Sequence, residues 1–325
     1  MRSRRQLNSP LVAAMVAGLV AALAACSGKS NATEEAREEV VEGSTSRPGA
    51  LAVQDLRFPL DDYEPTAQEQ QTLDEAQGVL LKECMARLGF HYTPPKPSPV
   101  ADDKKHSRVF GLLDLNVASK YGYGPQKESE ENSSGEVRPA RTEAERTALV
   151  GAPDLSLGDL PASQEEAERK RGGPMINGRA APVGGCTRES FLKLYAPRPG
   201  TVDIMFTFSL KREAESRSVS DGRGVKVDGR WSACMKDAGF SVRNPRNPMK
   251  DLGISQEDSS GPEAVRVAVA DVKCKERVDF AGIHYSIQSE YQRALIRDNR
   301  KTLESAGRQL RDRIELAATV LKKGQ

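Results

Sequence analysis

Two short stretches, Cys84-Met-Ala-Arg-Leu-Gly-Phe90 and Cys234-Met-Lys-Asp-Ala-Gly-Phe240, decide the fold that this sequence predicts. They share Cys, Met, Gly and Phe at identical spacing, and each closes a segment with helical periodicity. The glycine is placed to end the helix, and the aromatic ring can then fold back onto the last turn. Each stretch is followed by a long irregular segment and then by a single cysteine, Cys186 or Cys274. We therefore interpret the chain as two related halves.

Four cysteines follow residue 26, and they predict two disulfide bonds. An even number of cysteines in an exported protein is typical of disulfides. Zinc is the competing interpretation, but the gaps between the cysteines contain no C-x2-C pair and the chain has only three histidines. If each half closes on itself, the bonds are Cys84–Cys186 and Cys234–Cys274, one of three possible pairings.

The N-terminus has the three parts of a lipoprotein signal. A basic start is followed by an apolar, charge-free run over residues 11–25, which is shorter than the ~20 residues that a helix needs to span a bilayer. The run ends in Leu23-Ala-Ala-Cys26, the lipobox pattern. We expect residues 1–25 to be removed and Cys26 to carry lipid, which anchors the protein to the outer face of the cytoplasmic membrane. A retained transmembrane helix and cleavage without lipidation are the alternatives.

Residues 26–62 predict an acidic, flexible tether, because they carry eight acidic against four basic side chains and few apolar ones. The first helical half is predicted over 63–198, and the second half, with a long C-terminal helix, over 199–325. Loss of the three arginines in the signal changes the formal net charge from +2 to −1. A nearly neutral exported chain is not expected to bind nucleic acid.

The predicted fold is mostly α, with long irregular loops. A capping box at Thr66-x-x-Glu69 starts the first helix, and Gly89 ends it. Residues 202–210 alternate as a strand would, but the polar run that follows favours a helix. Residues 281–323 predict either one long helix or two helices broken near Gly307.

A resemblance is carried by the lipobox, the paired Cys-Met motifs, and the segments Trp231–Met235, Tyr121–Gly124, Gly184–Cys186 and Ala268–Cys274. Together they resemble a family of secreted proteins and lipoproteins of high-GC Gram-positive bacteria, over most of the chain from about Glu64. The resemblance implies an architecture and a cellular location, but it implies no activity. The first half departs from the motif, because Leu81 stands where the second half has Trp231.

The usual signatures of catalysis are missing from the sequence. It has no H-E-x-x-H, no G-x-S-x-G and no S-x-x-K nucleophile in an S-D-N context. His91, His106 and His284 are scattered singly and are interpreted as surface or helix-face residues. The four paired cysteines would be neither nucleophiles nor ligands. We therefore expect no enzyme, no cofactor and no metal site.

Three aromatic residues, Tyr121, Tyr123 and Trp231, are the candidate ligand contacts, since they could stack on a sugar or peptide of the cell wall. Aromatic packing at helix ends is the alternative interpretation. The sequence favours a non-enzymatic envelope protein that binds a partner protein, a wall polymer or a small ligand. One alternative is the solute-binding lipoprotein of an ABC importer, which would need two α/β lobes. Another is a cell-envelope hydrolase with an atypical site.

Overall fold

Helices dominate the computed structural model, which describes residues 56–97, 105–126, 141–170 and 172–324. The predicted mostly α fold with two disulfides is confirmed. The described ranges contain eleven α-helices: α1 (Ala67–Arg87), α2 (Leu115–Tyr121), α3 (Glu143–Val150), α4 (Gln164–Arg169), α5 (Gly185–Tyr195), α6 (Phe206–Val219), α7 (Gly222–Asp237), α8 (Pro248–Leu252), α9 (Pro262–Arg277), α10 (Phe280–Asp298) and α11 (Arg300–Lys323). Two short 3-10 helices, Pro59–Tyr63 and Leu157–Asp159, complete the helical elements.

One antiparallel hairpin accompanies the helices in the described part of the chain. Strands β1 (Met175–Ile176) and β2 (Arg179–Ala180) pair with Met175 opposite Ala180. The turn between them is Asn177-Gly178, and both residues have positive φ, at 50° and 75°. This is the backbone conformation that a two-residue hairpin turn requires.

The two Cys-Met stretches end their helices in the same way. Gly89 and Gly239 adopt left-handed conformations with φ of 86° and 94°. The backbone N–H of Phe90 then donates to the carbonyl of Met85 at 3.0 Å, and that of Phe240 to the carbonyl of Met235 at 2.9 Å. This backward hydrogen bond belongs to the glycine-capped helix end. The repeat in the sequence is therefore also a repeat in local structure.

Each half is closed by its own disulfide, as predicted. Cys84 of α1 is bonded to Cys186 of α5, and Cys234 of α7 to Cys274 of α9. The Cα atoms are 5.6 and 5.7 Å apart, within the range that a disulfide spans. In both halves the bond joins the end of the motif helix to a helix later in the chain.

The two halves, predicted over 63–198 and 199–325, pack closely against each other. The described residues belong to one compact unit, because α11 of the second half packs along α1 of the first and α2 packs on α9. Leu310, Ile314 and Ala317 of α11 share an apolar cluster with Leu73 and Leu80 of α1. The apolar stripe of α11 is thus covered by the first half.

The described end of the predicted tether, residues 56–62, packs into the fold. Leu56, Phe58 and Leu60 are 5%, 2% and 0% exposed, and the backbone N–H of Leu60 donates to Gln292 Oε1 at 2.9 Å. These alternating apolar residues anchor the chain in the core just before α1 begins. Cys26 and the predicted signal before it lie outside the described residues.

Two uncertain helix limits are resolved. Residues 202–205 precede α6, so the predicted helix over 202–210 starts four residues later, at Phe206. The C-terminal helix is broken at Asn299, whereas Gly307 lies inside α11. The carbonyl of Leu295 accepts from both the Asn299 side-chain amide, at 2.9 Å, and the Asn299 backbone N–H, at 3.0 Å. Of the helices in the described ranges, none combines the length and apolar character needed to cross a membrane.

Candidate functional site

The structure does not assemble the predicted aromatic contacts into a ligand site. Trp231 is fully buried, and its Nε1 donates to Asp271 Oδ1 at 2.9 Å. The hydroxyl of Tyr123 donates to the other oxygen of the same carboxylate at 3.1 Å. Tyr121, at the end of α2, is partly exposed with the Lys120 ammonium 4.8 Å from its ring centre. The expectation that Trp231 contacts a ligand is therefore wrong, because its indole is fully occupied within the core.

Asp271 belongs to a buried charged cluster that sequence reasoning missed. Lys275 Nζ lies 3.0 Å from Asp271 Oδ2, with side chains 2% and 0% exposed. Burial raises the pKa of Asp271 and lowers that of Lys275, because both lose hydration of their charged forms. Lys275 Nζ also donates to the carbonyl of Leu112 at 3.3 Å. This cluster joins α9 to α7 and to the segment before α2, and its role is structural.

Two of the three histidines, His106 and His284, are held by carboxylates, whereas His91 is exposed. His284 on α10 is 1% exposed, and its Nε2 lies 2.8 Å from Asp228 Oδ1. His284 lies on a helix face as expected, but this face is buried. The centre of its ring is 4.4 Å from the ring centre of Phe280. His106 Nε2 lies 2.7 Å from Asp61 Oδ2. Within the described residues, no group of three or more His, Cys, Asp or Glu side chains is arranged to hold a metal ion.

The candidate ligand site is a cavity of about 500 Å³ between the start of α1, the end of α5 and α11, named here the Arg313 cleft. A smaller cavity of about 90 Å³ adjoins it and shares Arg313 and Ile204 with it. The Arg313 cleft is lined by Glu64, Pro65, Thr66, Ala67, Gln70, Leu73, Gln77, Lys105, Phe191, Tyr195, Ile204 and Arg313.

Arg313 is the distinctive group of this cleft. Its guanidinium carbon lies 4.6 Å from the ring centre of Tyr195, and that ring stacks on Phe191 with centres 5.1 Å apart. Partial burial lowers the pKa of Arg313, but a guanidinium remains charged at neutral pH. No carboxylate among the described residues forms an ion pair with it. The cleft thus holds a partly desolvated positive charge on an aromatic platform.

The acidic groups near this cleft are, in contrast, all engaged. Glu64 Oε2 lies 2.6 Å from the ammonium groups of both Lys105 and Lys211. Lys211 also lies 2.6 Å from Asp61 Oδ1. Burial alone would raise the pKa of Asp61, but hydrogen bonds from His106 and Lys211 and the Lys211 charge hold it well below its ordinary value. This network fixes residues 58–64 at the mouth of the cleft.

The opposite side of the mouth is apolar. Ile204, Met205 and Phe208 are 40%, 49% and 50% exposed. The segment before α6 is held in place by Val202, whose backbone N–H donates to Gln309 Oε1 at 3.0 Å. An apolar surface therefore continues from the cleft towards Phe208 across the smaller cavity.

A second cavity, of about 590 Å³, lies beside the β1–β2 hairpin and is lined by two arginines, Arg87 and Arg179. Arg87 forms a bidentate contact of 2.7 Å with both oxygens of Glu189. Arg179 in turn donates to the carbonyl of Arg87. Arg179 is exposed, whereas Arg313 is partly buried and has lost more of its hydration, so the Arg313 cleft is the better candidate.

Comparisons of this chain with protein-family models, curated proteins and solved structures gave no match.

Proposed function

We propose that this protein is a lipid-anchored binding protein of the cell envelope, which holds a small ligand in the Arg313 cleft and does not transform it. One observation carries the proposal: a half-buried arginine, stacked on Tyr195, lines a cavity of about 500 Å³ and pairs with no carboxylate among the described residues. Concave sites with an apolar lining and a few placed polar groups are the usual form of small-molecule sites.

The proposed location, at the outer face of the membrane, is supported by the sequence and by the cysteines. The lipobox ending in Cys26 supplies a lipid attachment site. The two disulfides are typical of an oxidising compartment outside the cytoplasm. Two or three acyl chains anchor a protein stably, since each buried CH2 group contributes ~0.8 kcal/mol.

Binding is favoured over catalysis by what the reactive side chains of the fold already do. All four cysteines of the described residues are in disulfides. His284 is buried behind Asp228, and His106 is held by Asp61. The helical architecture also differs from the two α/β lobes of ABC solute-binding lipoproteins, because the described strands are one hairpin of two-residue strands. We therefore do not propose that this protein is the solute-binding lipoprotein of an ABC importer.

Replacement of Cys26 by alanine should abolish anchoring. The lipobox thiol is the attachment point for lipid, so Cys26→Ala protein should remain as unprocessed precursor or be released into the medium. Phase partitioning in a cloud-point detergent measures this, with Ser27→Ala as the matched control that stays in the detergent phase. A Cys26→Ala protein that partitions like the wild type would contradict the proposed anchor.

Ligand binding without turnover is tested by native mass spectrometry of the mature protein incubated with small molecules extracted from the envelope of its host. We expect one bound species, released on denaturation with the same mass that it has in the extract. A released species with a changed mass would establish catalysis instead. A protein that gains no mass at a saturating amount of extract would contradict a small-ligand site.

A further inference from the structure

The charge balance around the Arg313 cleft indicates the sign of its ligand. Glu64 is compensated by two lysines, and Asp74 accepts a hydrogen bond of 2.7 Å from Gln70 Nε2. Asp203 accepts one of 2.8 Å from the backbone N–H of Met205. Of the three charged residues that line the cleft, Glu64 and Lys105 pair with each other, and Arg313 forms no ion pair within the described residues. A partly desolvated cation is stabilised when an anion pairs with it, so the missing partner is an anionic group.

The position of Arg313 over the Tyr195 ring fits this role. A guanidinium that covers an aromatic ring with one face keeps its N–H groups for hydrogen bonds in its own plane. Tyr195 is 8% exposed and supported by Phe191, so the platform is packed in place. Burial raises the pKa of Tyr195, and the neutral phenol does not compete with an incoming anion for the arginine.

The second part of the ligand follows from what lies beyond Arg313. The smaller cavity continues the cleft past Ile204 to Phe208 and Leu310. Ile204 and Phe208, which line this smaller cavity, are 40% and 50% exposed. A hydrocarbon or aromatic moiety seated there would remove this surface from water.

We infer that the Arg313 cleft binds an amphipathic organic anion, with its charged group on Arg313 and its apolar part along Ile204 and Phe208. This inference rests on the proposed binding function and adds the chemical class of the ligand. Both a fatty carboxylate and an apolar peptide carboxylate share this chemistry.

The charged half of the inference is tested with two fluorescent probes that share one ring system. The probes are 8-anilinonaphthalene-1-sulfonate, an anion, and N-phenyl-1-naphthylamine, which lacks the sulfonate. On the mature wild-type protein the anion should bind about tenfold more tightly than the neutral probe, since charge-assisted hydrogen bonds distinguish them. Arg313→Gln should lower the affinity for the anionic probe by about ten- to one hundredfold, and should change the affinity for the neutral probe by less than about twofold.

The matched control is Arg308→Gln, which removes the same charge from an exposed position of α11 and should leave both probes unchanged. Ile204→Ser should lower the affinity for both probes by similar factors. This variant tests the apolar contact independently of Arg313. Thermal melts confirm that each variant is folded. Equal affinity of the anionic probe for wild type and Arg313→Gln would overturn the inference, as would equal affinity of the wild type for the two probes.

Displacement of the bound anionic probe separates the two sources of ligand. Displacement by decanoate would indicate a lipid-derived ligand, and displacement by N-acetylphenylalanine a peptide-derived one. Failure of both carboxylates contradicts the inferred class. The more general binding function would survive that failure if the envelope extract still gave a bound species in the mass measurement.

Discussion

Reduction of both disulfides should unfold this protein at 37 °C. The bonds close loops with sequence separations of 102 and 40 residues. In the loop-entropy description, such closures contribute on the order of 4–5 and 4 kcal/mol. Domains of this kind have a total stability of ~5–15 kcal/mol, so the two bonds account for a large share of it.

Paired alanine variants separate the two contributions. Cys84→Ala/Cys186→Ala should lower the free energy of unfolding slightly more than Cys234→Ala/Cys274→Ala, because its loop is longer. Urea unfolding of each variant, with and without reductant, measures the difference. Reductant should have no further effect on a protein that lacks both bonds. A wild-type melting temperature that does not change on reduction would show that the pairing does not stabilise the fold.

Replacement of Asp271 by alanine should destabilise the fold by about 3–5 kcal/mol, because it leaves the Lys275 ammonium buried without a counter-charge. The same substitution removes the acceptor for Trp231 Nε1 and the Tyr123 hydroxyl. Urea unfolding monitored by the fluorescence of Trp231 gives the value, and Asp298→Ala at an exposed position should stay within about 0.5 kcal/mol of the wild type.

A second substitution tests the cause of this effect. In the Asp271→Ala/Lys275→Met protein the unpaired charge is gone, so the double variant should be more stable than Asp271→Ala alone. If the double variant loses as much free energy of unfolding as the two single variants together, the unpaired charge is not the reason for the loss.

The local structure could be predicted because its causes are local. The capping box formed by Thr66 and Glu69, and the glycine stops at Gly89 and Gly239, depend on residues within one turn of each other. The disulfide pairing followed from the repeat, since two related halves that each close on themselves allow one pairing. The sequence does not predict the break at Asn299, because a single residue outside the helix leaves no periodic signal.

Long-range packing could not be predicted in the same way. The sequence shows the apolar stripe of α11 but does not say that α1 covers it. Asp271 and Lys275 fall on the apolar face of α9, and this was the available sign of a buried charged cluster. Trp231 was proposed as a ligand contact because exposure is not encoded in residue type, and the indole is instead bonded to Asp271.

The Arg313 cleft had no signature in the sequence for a related reason. Its walls come from segments far apart in the chain, namely residues 64–77, Lys105, 191–204 and Arg313. No short spacing connects these residues, and each is ordinary in its local context. Only the packing of α11 against α1 and α5 brings the arginine onto the Tyr195 ring.

Hydrogen–deuterium exchange of the mature protein, with and without small molecules from the envelope of its host, tests most directly that this cleft is the binding site. We expect slower exchange on ligand addition at the start of α1, in residues 196–208 and in the part of α11 around Arg313. The hairpin cavity beside Arg87 should be unchanged. Protection that maps to the hairpin cavity, or that persists at full strength in Arg313→Gln, would contradict the account.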